Sequence, residues 1–137
     1  MKPMLNQKQQ DADELVKAAR NAAKAAYCPY SNYPVGAALR LRDGRIVTGC
    51  NIENASYGLC NCAERTAIFK AVSEGGRAFT ALAVCGGKER PAYPCGACRQ
   101  VIAEFCPSDM PVYIAPLEGG DITATTVAEL LPLTFSL

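Results

Sequence analysis

The sequence contains no histidine and no tryptophan among its 137 residues. The absence of histidine removes both the commonest metal ligand and the commonest general base of proteins. Any metal site in this chain must therefore be built from Cys, Asp or Glu. Any acid–base catalyst must likewise be a carboxylate, Lys, Tyr or Cys.

The chain also lacks a surplus of charge and a long apolar run. With 14 basic and 13 acidic residues its formal charge is +1, whereas a protein that neutralises many phosphates usually carries excess Lys and Arg. A small, nearly neutral ligand is therefore expected rather than nucleic acid. No segment approaches the roughly 18 apolar residues of a membrane span, and the first residues lack the apolar run of a signal peptide. These absences predict a cytoplasmic protein without a membrane partner.

Cysteine, by contrast, is abundant, with eight residues in the chain. In a secreted protein this number would indicate a disulfide framework, but in the cytoplasm cysteines at short fixed spacings indicate metal binding or catalysis. Half of the eight lie in or beside apolar segments, where free cysteine usually behaves as a small buried hydrophobe. We expect no function for these four, which are Cys28, Cys50, Cys85 and Cys106.

Length and hydrophobic periodicity predict a single domain over residues 1–137. Helices are predicted at 11–27, at 62–73, from about 95, and around 127–131, and strands at 35–41, 45–52, 81–86, 111–116 and 122–127. The turn Asp43-Gly44 predicts that the first two strands form an antiparallel hairpin. This order of elements describes an α/β fold of three layers, α/β/α, in which helices cover both faces of a mixed, mainly five-stranded sheet.

Two short motifs place cysteine at the start of a predicted helix: NCAER at 61–65 and PCGACRQ at 94–100. The unpaired N–H groups and positive dipole end of a helix N-terminus lower the pKa of a thiol and favour the thiolate that zinc binds. Thiolates from Cys62, Cys95 and Cys98 would leave tetrahedral zinc one open position, the mark of a catalytic site. Zinc lowers the pKa of water in such a position from about 15.7 toward 7.

The last two residues of the first motif, Glu64 and Arg65, extend the hypothesis. Glu64 lies two positions beyond Cys62, so it can lie beside the metal rather than bind it, and this position suits a general base. The alternative is that Glu64 only compensates the helix dipole. Three thiolates and one Zn²⁺ carry a net charge of −1. Arg65 would offset this charge by donating hydrogen bonds to the ligand sulfurs, unless it is only a solvated helix charge.

The combination [HC]-x-E followed by P-C-x-x-C is the signature of zinc deaminases. The segments 29–39, 51–75 and 93–105, with the runs PYSNYPVGAAL, NIENASYG and YPCGACRQ, resemble the short cytidine deaminases of the cytidine and deoxycytidylate deaminase family over nearly the whole chain. The resemblance implies a cytidine-deaminase-like fold, one Zn²⁺ per subunit and a homotetramer. It also implies a role in pyrimidine salvage, the hydrolytic conversion of cytidine and 2′-deoxycytidine to uridine and 2′-deoxyuridine with release of ammonia.

The resemblance also implies roles for individual residues. Glu64 would take a proton from zinc-bound water, the resulting hydroxide would attack carbon 4 of cytosine, and Glu64 would pass the proton to ring nitrogen 3. Asn51 and Glu53 match the residues that clasp the ribose hydroxyls in the family; without the resemblance they are strand-end polar residues. The backbone N–H of Ala63 would orient the carbonyl oxygen of the base.

Aromatic residues of the family pack against the base and sugar, and some reach in from neighbouring subunits. Tyr33 matches a position that is more often Phe, Tyr57 matches the tyrosine of NASYG, and Phe135 resembles the terminal stacking aromatic. The resemblance thus implies composite active sites in a homotetramer. The alternative for each aromatic residue is core packing or anchoring of the terminus.

Other interpretations remain open at this point. Cys60 stands where the family usually has Thr or another small residue, and with Cys62, Cys95 and Cys98 it could complete a closed, structural four-thiolate zinc site. Cys95 and Cys98 could instead form a redox pair of the C-x-x-C kind. Within the deaminases, a cytosine nucleoside antibiotic such as blasticidin S is the competing substrate. Deaminases of nucleotides or RNA adenosine commonly use His as the first ligand, which this chain lacks.

Overall fold

The computed structural model describes residues 6–137, which form an α/β fold. The helices and strands follow one another as α1 (Gln7–Ala23), β1 (Val35–Leu41), β2 (Ile46–Cys50), a 3-10 helix (Tyr57–Leu59), α2 (Ala63–Ser73), β3 (Phe79–Gly86), α3 (Gly96–Phe105), β4 (Pro111–Ala115), β5 (Thr123–Thr126) and α4 (Val127–Leu130).

The five strands form one mixed sheet in the order β2-β1-β3-β4-β5. β1 is antiparallel to β2 and to β3, and β4 is antiparallel to β5. β3 and β4 are parallel, and the chain between them passes through α3. The predicted hairpin and the predicted five-stranded mixed sheet are therefore confirmed.

The two faces of the sheet carry different side chains because neighbouring strand residues point to opposite faces. On one face, α1 packs against small residues such as Ala38 and Ala83. On the other face, α2 and α3 pack against larger residues such as Leu39 and Leu82. The predicted three-layer α/β/α arrangement is confirmed.

Gly49 of β2 allows α2 to lie directly on the sheet. A Cβ atom at this position would be 2.5 Å from the backbone nitrogen of Ala67 and 2.7 Å from the carbonyl oxygen of Ala63. These contacts are shorter than packed atoms tolerate, so only glycine fits. The close approach fixes α2, whose N-terminus carries the first cysteine motif.

The predicted bounds of the first helix were wrong at both ends. α1 begins four residues earlier, because the side chain of Asn6 accepts a hydrogen bond from the backbone N–H of Gln9 at 2.9 Å and caps the helix. It ends at Ala23 rather than at Tyr27. The N–H of Tyr27 donates to the carbonyl of Asn51 at 3.0 Å, so this tertiary contact draws the chain away from the helical path.

The second strand is also shorter than predicted, since Ile52 forms isolated bridges with Tyr27 and Asn61. The 3-10 helix was not predicted. No helix within residues 6–137 has both the length and the apolar character needed to cross a membrane.

Candidate active site

Three cysteines meet where α2 and α3 begin. Cys62 is the N-cap residue of α2, Cys95 is the N-cap residue of α3, and Cys98 lies in the first turn of α3. Their sulfur atoms all lie within 4.8 Å of one another, and those of Cys62 and Cys95 are 3.8 Å apart. The two motifs thus converge on one point, as the sequence predicts.

This cluster of thiols fits a zinc ion. Tetrahedral Zn²⁺ with Zn–S bonds of about 2.3 Å places its sulfur ligands about 3.8 Å apart, the separation of Cys62 and Cys95. Cys98 is buried, Cys62 is half-buried and Cys95 is exposed. A three-sulfur donor set that is open on one side suits a metal that keeps a position for a non-protein ligand.

The electrostatics of the cluster favour thiolate at Cys62. The Cys98 thiol donates a hydrogen bond that, together with the guanidinium of Arg65, lowers the pKa of Cys62 to about 5. The same hydrogen bond, followed by burial, raises the pKa of Cys98. A second thiolate so close to the first is unfavourable unless a cation neutralises it, a condition that Zn²⁺ meets.

Arg65 contacts the sulfur atom of Cys62. Its Nη2 donates a hydrogen bond to the Sγ of Cys62 at 3.3 Å. The thiolate raises the pKa of Arg65, so the guanidinium stays charged. Its Nε is buried and lacks a hydrogen-bond partner among residues 6–137.

Glu64 lies in the first turn of α2 with only 4% of its surface exposed. Its carboxylate is not part of the cluster of ligand atoms formed by the three sulfurs. Burial is the main cause that raises the pKa of Glu64, and the charge of Cys62 adds to it. The site therefore combines a metal-binding cluster with a separate buried carboxyl group whose affinity for a proton is raised.

Asn51 and Glu53 both hold the loop between α1 and β1. The side chain of Asn51 accepts from the N–H of Val35 at 2.9 Å and donates to the carbonyl of Tyr33 at 2.8 Å. The carboxylate of Glu53 accepts from the N–H groups of Tyr30 and Ser31 and from the Ser31 hydroxyl. These bonds, of which the Ser31 hydroxyl contributes most, lower the pKa of Glu53.

The three candidate aromatic residues are exposed rather than packed in the core. Tyr33, Tyr57 and Phe135 expose 43%, 72% and 69% of their surface. Tyr57 makes an edge-to-face contact with Tyr30, with ring centroids 5.9 Å apart. The carbonyl of Phe135 accepts a hydrogen bond from Gln100 at 3.3 Å, which keeps the C-terminal segment beside α3. Core packing, one of the two alternative explanations, does not apply to any of them, whereas anchoring of the terminus stays open for Phe135.

Tyr30 and Ser31 were missed by the sequence analysis, although both lie in the quoted run PYSNYPVGAAL. Ser31 holds Glu53 and Tyr30 packs on Tyr57, so both support predicted site residues. The sequence signal available for Ser31 was its position in a loop bounded by Pro29 and Pro34. Its partner is 22 positions away in the sequence, so no local pattern identifies it.

The remaining cysteines lie outside the metal-binding cluster. The Cys60 sulfur interacts with the backbone N–H and carbonyl of Asn54, at 3.3 and 3.5 Å. The closed four-thiolate site is therefore not formed, and the inclusion of Cys62 in the cluster argues against a simple redox pair. Burial raises the pKa of Cys85 to about 11 and that of Cys106 to about 12, which makes both thiols unreactive.

Two surface grooves, of about 1010 and 700 Å³, are lined by residues of α1 and of other elements. Neither groove is lined by Glu64 or by any of the three clustered cysteines. The site is therefore distinct from both grooves.

A three-layer α/β/α fold that holds three cysteine thiols and a buried glutamate at two helix N-termini defines the class of zinc deaminases. Residues 9–114 match the family model described as the cytidine and deoxycytidylate deaminase zinc-binding region. This chain belongs to that family, and Cys62, Cys95 and Cys98 are its zinc-binding cluster.

Individual relatives agree with this assignment. The chain is 60% identical to a cytidine deaminase of Sporosarcina psychrophila over 126 residues, which is 92% of each chain. It superposes on the crystal structure of a cytidine deaminase from Burkholderia pseudomallei with a TM-score of 0.86 and 50% identity, covering 90% of this chain and 98% of the other. A blasticidin-S deaminase of Bacillus cereus is 33% identical over 139 residues, 96% of each chain.

Proposed function

We propose that this chain hydrolyses cytidine and 2′-deoxycytidine to uridine and 2′-deoxyuridine with release of ammonia. The observation that carries the proposal is the buried carboxyl of Glu64 beside the cluster of Cys62, Cys95 and Cys98. The similarity to cytidine deaminases over more than nine-tenths of the chain supports the same substrate class.

The three cysteines would hold one Zn²⁺ per chain, and the bound ion would supply a water molecule of lowered pKa to the site. Glu64 accepts a proton from the attacking water and delivers it to nitrogen 3 of the cytosine ring. Attack of the water oxygen forms the carbon–oxygen bond at carbon 4. When the carbon–nitrogen bond then breaks, Glu64 relays the remaining proton of the new hydroxyl group to the leaving amine, so that ammonia departs and the carbonyl group of uridine forms. The raised pKa of Glu64 suits this exchange, because the group must hold a proton between steps. Arg65 moderates the negative charge of the thiolates.

The nucleoside is oriented by groups that retain spare hydrogen-bonding capacity. The side chain of Asn51 uses one oxygen lone pair to accept from Val35 and one N–H to donate to Tyr33, which leaves one lone pair and one N–H free. The carboxylate of Glu53 has about four acceptor sites, as any carboxylate does. Both can therefore also bind the ribose hydroxyls. The N–H of Ala63 lies in the first turn of α2, where amides lack intrahelical acceptors, and it donates to the carbonyl oxygen of the base.

The active enzyme is a homotetramer with composite sites in this proposal. Tyr57 and Phe135 are largely exposed, together with Leu59 and Leu137, so their side chains are available for contact with a neighbouring subunit. Tyr33 and Tyr57 contact the nucleoside, and Phe135 reaches a neighbouring site. Sedimentation should give the mass of four chains, and a monomer with full activity would contradict the composite site.

Subunit mixing tests the composite site further. E64Q removes the proton shuttle and F135A removes the reaching aromatic, so each variant alone is impaired. If Phe135 serves a neighbouring chain, mixed tetramers contain some sites with both groups intact. Activity in the reassembled mixture above the sum of the two variants supports this arrangement, and simple additivity contradicts it.

Blasticidin S is the second candidate substrate. The chain is 33% identical to the antibiotic deaminase and 60% identical to the cytidine deaminase, at similar coverage. The higher identity supports a nucleoside over the antibiotic.

Substrate choice is tested by incubating the zinc-loaded protein with cytidine, 2′-deoxycytidine, blasticidin S and adenosine in parallel. Release of ammonia and the change in ultraviolet absorbance report each reaction. We expect conversion of the two cytosine nucleosides. Activity on blasticidin S alone, or on none of the four, contradicts the proposal.

A further inference from the structure

Arg99 joins two distant backbone carbonyls next to the metal-binding cluster. Its Nε donates to the carbonyl oxygen of Pro94 at 2.7 Å, and its Nη1 donates to that of Leu130 at 2.9 Å. The residue lies on α3 directly after Cys98 and is half-buried. None of the roles described above involves this side chain.

The first bond restrains a zinc ligand. Pro94 is buried and immediately precedes Cys95, the most exposed of the three cysteines. Donors that are ionised make short, strong hydrogen bonds, and the 2.7 Å distance is of this kind. Arg99 therefore restrains the backbone at Pro94, the residue directly before Cys95.

The second bond restrains the C-terminal segment. Leu130 is the last residue of α4, and carbonyls in the last turn of a helix have no intrahelical donor. Arg99 supplies that donor, and Gln100 next to it donates to the carbonyl of Phe135. Adjacent residues of α3 therefore direct the chain from 131 to 137 along the helix that carries two of the clustered cysteines.

We propose that Arg99 is a positioning residue that couples the Cys95 ligand to the C-terminal segment 131–137. Zinc retention and order in this segment then depend on each other, because coupling between two sites is reciprocal. Lysine cannot replace Arg99, since one ammonium lacks the planar fork that reaches two carbonyls at once. The proposal rests on the proposed zinc-dependent function. It adds Arg99 as a residue that supports the zinc site, and it links Cys95 to the C-terminal segment.

The variant R99K tests the coupling, and R20K is its matched control. Arg20 of α1 also bridges two backbone carbonyls, of Pro116 at 3.0 Å and Gly119 at 2.7 Å, but it contacts none of the clustered cysteines. The measurement is the rate at which purified holoprotein transfers zinc to a chromophoric chelator. We expect R99K to release zinc about 10-fold faster than the parent chain, as is typical for loss of an outer-shell partner. R20K should release zinc at the parental rate, and equal rates for the two variants overturn the proposal.

A kinetic comparison separates positioning from general loss of structure. With zinc in excess, R99K should raise the KM for cytidine more than it lowers kcat, because the tail moves while Glu64 is untouched. A fall in kcat without a change in KM contradicts this role.

Hydrogen exchange tests the coupling without a variant and so covers the case in which R99K fails to fold. Removal of zinc from the parent chain should speed exchange in peptides spanning 94–100 and 131–137 and leave α1 unchanged. Unchanged exchange at 131–137, or a uniform increase along the chain, overturns the proposal. A parent chain that binds no zinc at all would instead refute the proposed function.

Discussion

The substitution Glu64→Gln separates the proton chemistry of the site from its metal binding. Glutamine has the shape of glutamate, so a side chain with 4% exposure is replaced without a cavity. The carboxylate is not one of the clustered ligand atoms, so we expect E64Q to bind one zinc per chain as the parent does. A single proton transfer contributes roughly 10²- to 10⁴-fold to the rate. In the proposed mechanism Glu64 carries out more than one transfer, so kcat/KM should fall by more than about 10⁴-fold, or about 5.4 kcal/mol.

The assay is the change in ultraviolet absorbance as cytidine is converted, with bound zinc measured by elemental analysis on the same preparation. Glu74→Gln is the matched control, because Glu74 is exposed at the other end of the same helix. E74Q should retain parental activity and zinc. Near-normal turnover by E64Q would refute the assignment of Glu64 as proton shuttle, and loss of zinc from E64Q would show that it is a ligand instead.

Four further predictions address neighbouring features of the molecule. C60T should keep one zinc per chain and parental activity, because this sulfur lies outside the cluster, and loss of the zinc would favour the closed four-thiolate site. R65Q should weaken zinc binding about 10- to 100-fold in chelator competition, since it removes a donor to a ligand sulfur; unchanged affinity would argue that Arg65 is only a solvated charge. G49A should lower the free energy of unfolding in urea by about 1–3 kcal/mol or more, because its Cβ would collide with backbone atoms, and an unchanged value would refute the close contact. The pKa of Glu53 is lowered mainly by Ser31, so its carboxylate stabilises the folded chain fully above its ordinary pKa of 4.5 and loses this effect as the pH falls through its lowered value. Stability of E53Q should therefore depend less on pH in this acidic range, and a parallel pH profile for both chains would contradict the role of Ser31.

Much of the fold follows from local patterns that need no tertiary information. Asp43-Gly44 indicates the hairpin because the turn geometry is local, and the glycine adopts a positive φ of 96°. The end of α1 depends instead on the pairing of Tyr27 with Ile52, which lies 25 positions further along the chain. Apolar periodicity continued past Ala23, and the tertiary contact overrode it.

The candidate site also combines features that follow from local sequence with features that depend on tertiary contacts. The placement of Cys62 and Cys95 at helix N-termini follows from local periodicity, and the restriction of metal ligands to Cys, Asp and Glu follows from the absence of histidine. The hydrogen bonds of Glu53 with Ser31 and of Arg99 with Leu130 join residues 22 and 31 positions apart. No spacing rule connects such residues, so only the folded chain brings them together.

The central claim is that zinc held by Cys62, Cys95 and Cys98 enables this chain to deaminate cytidine. Its most direct test is a titration in which zinc is removed with a chelator and added back in increments while the conversion of cytidine is followed. We predict negligible activity without zinc and a linear rise that ends at one zinc per chain. Full activity in the zinc-free protein, or one bound zinc with no activity on cytidine, would contradict the claim.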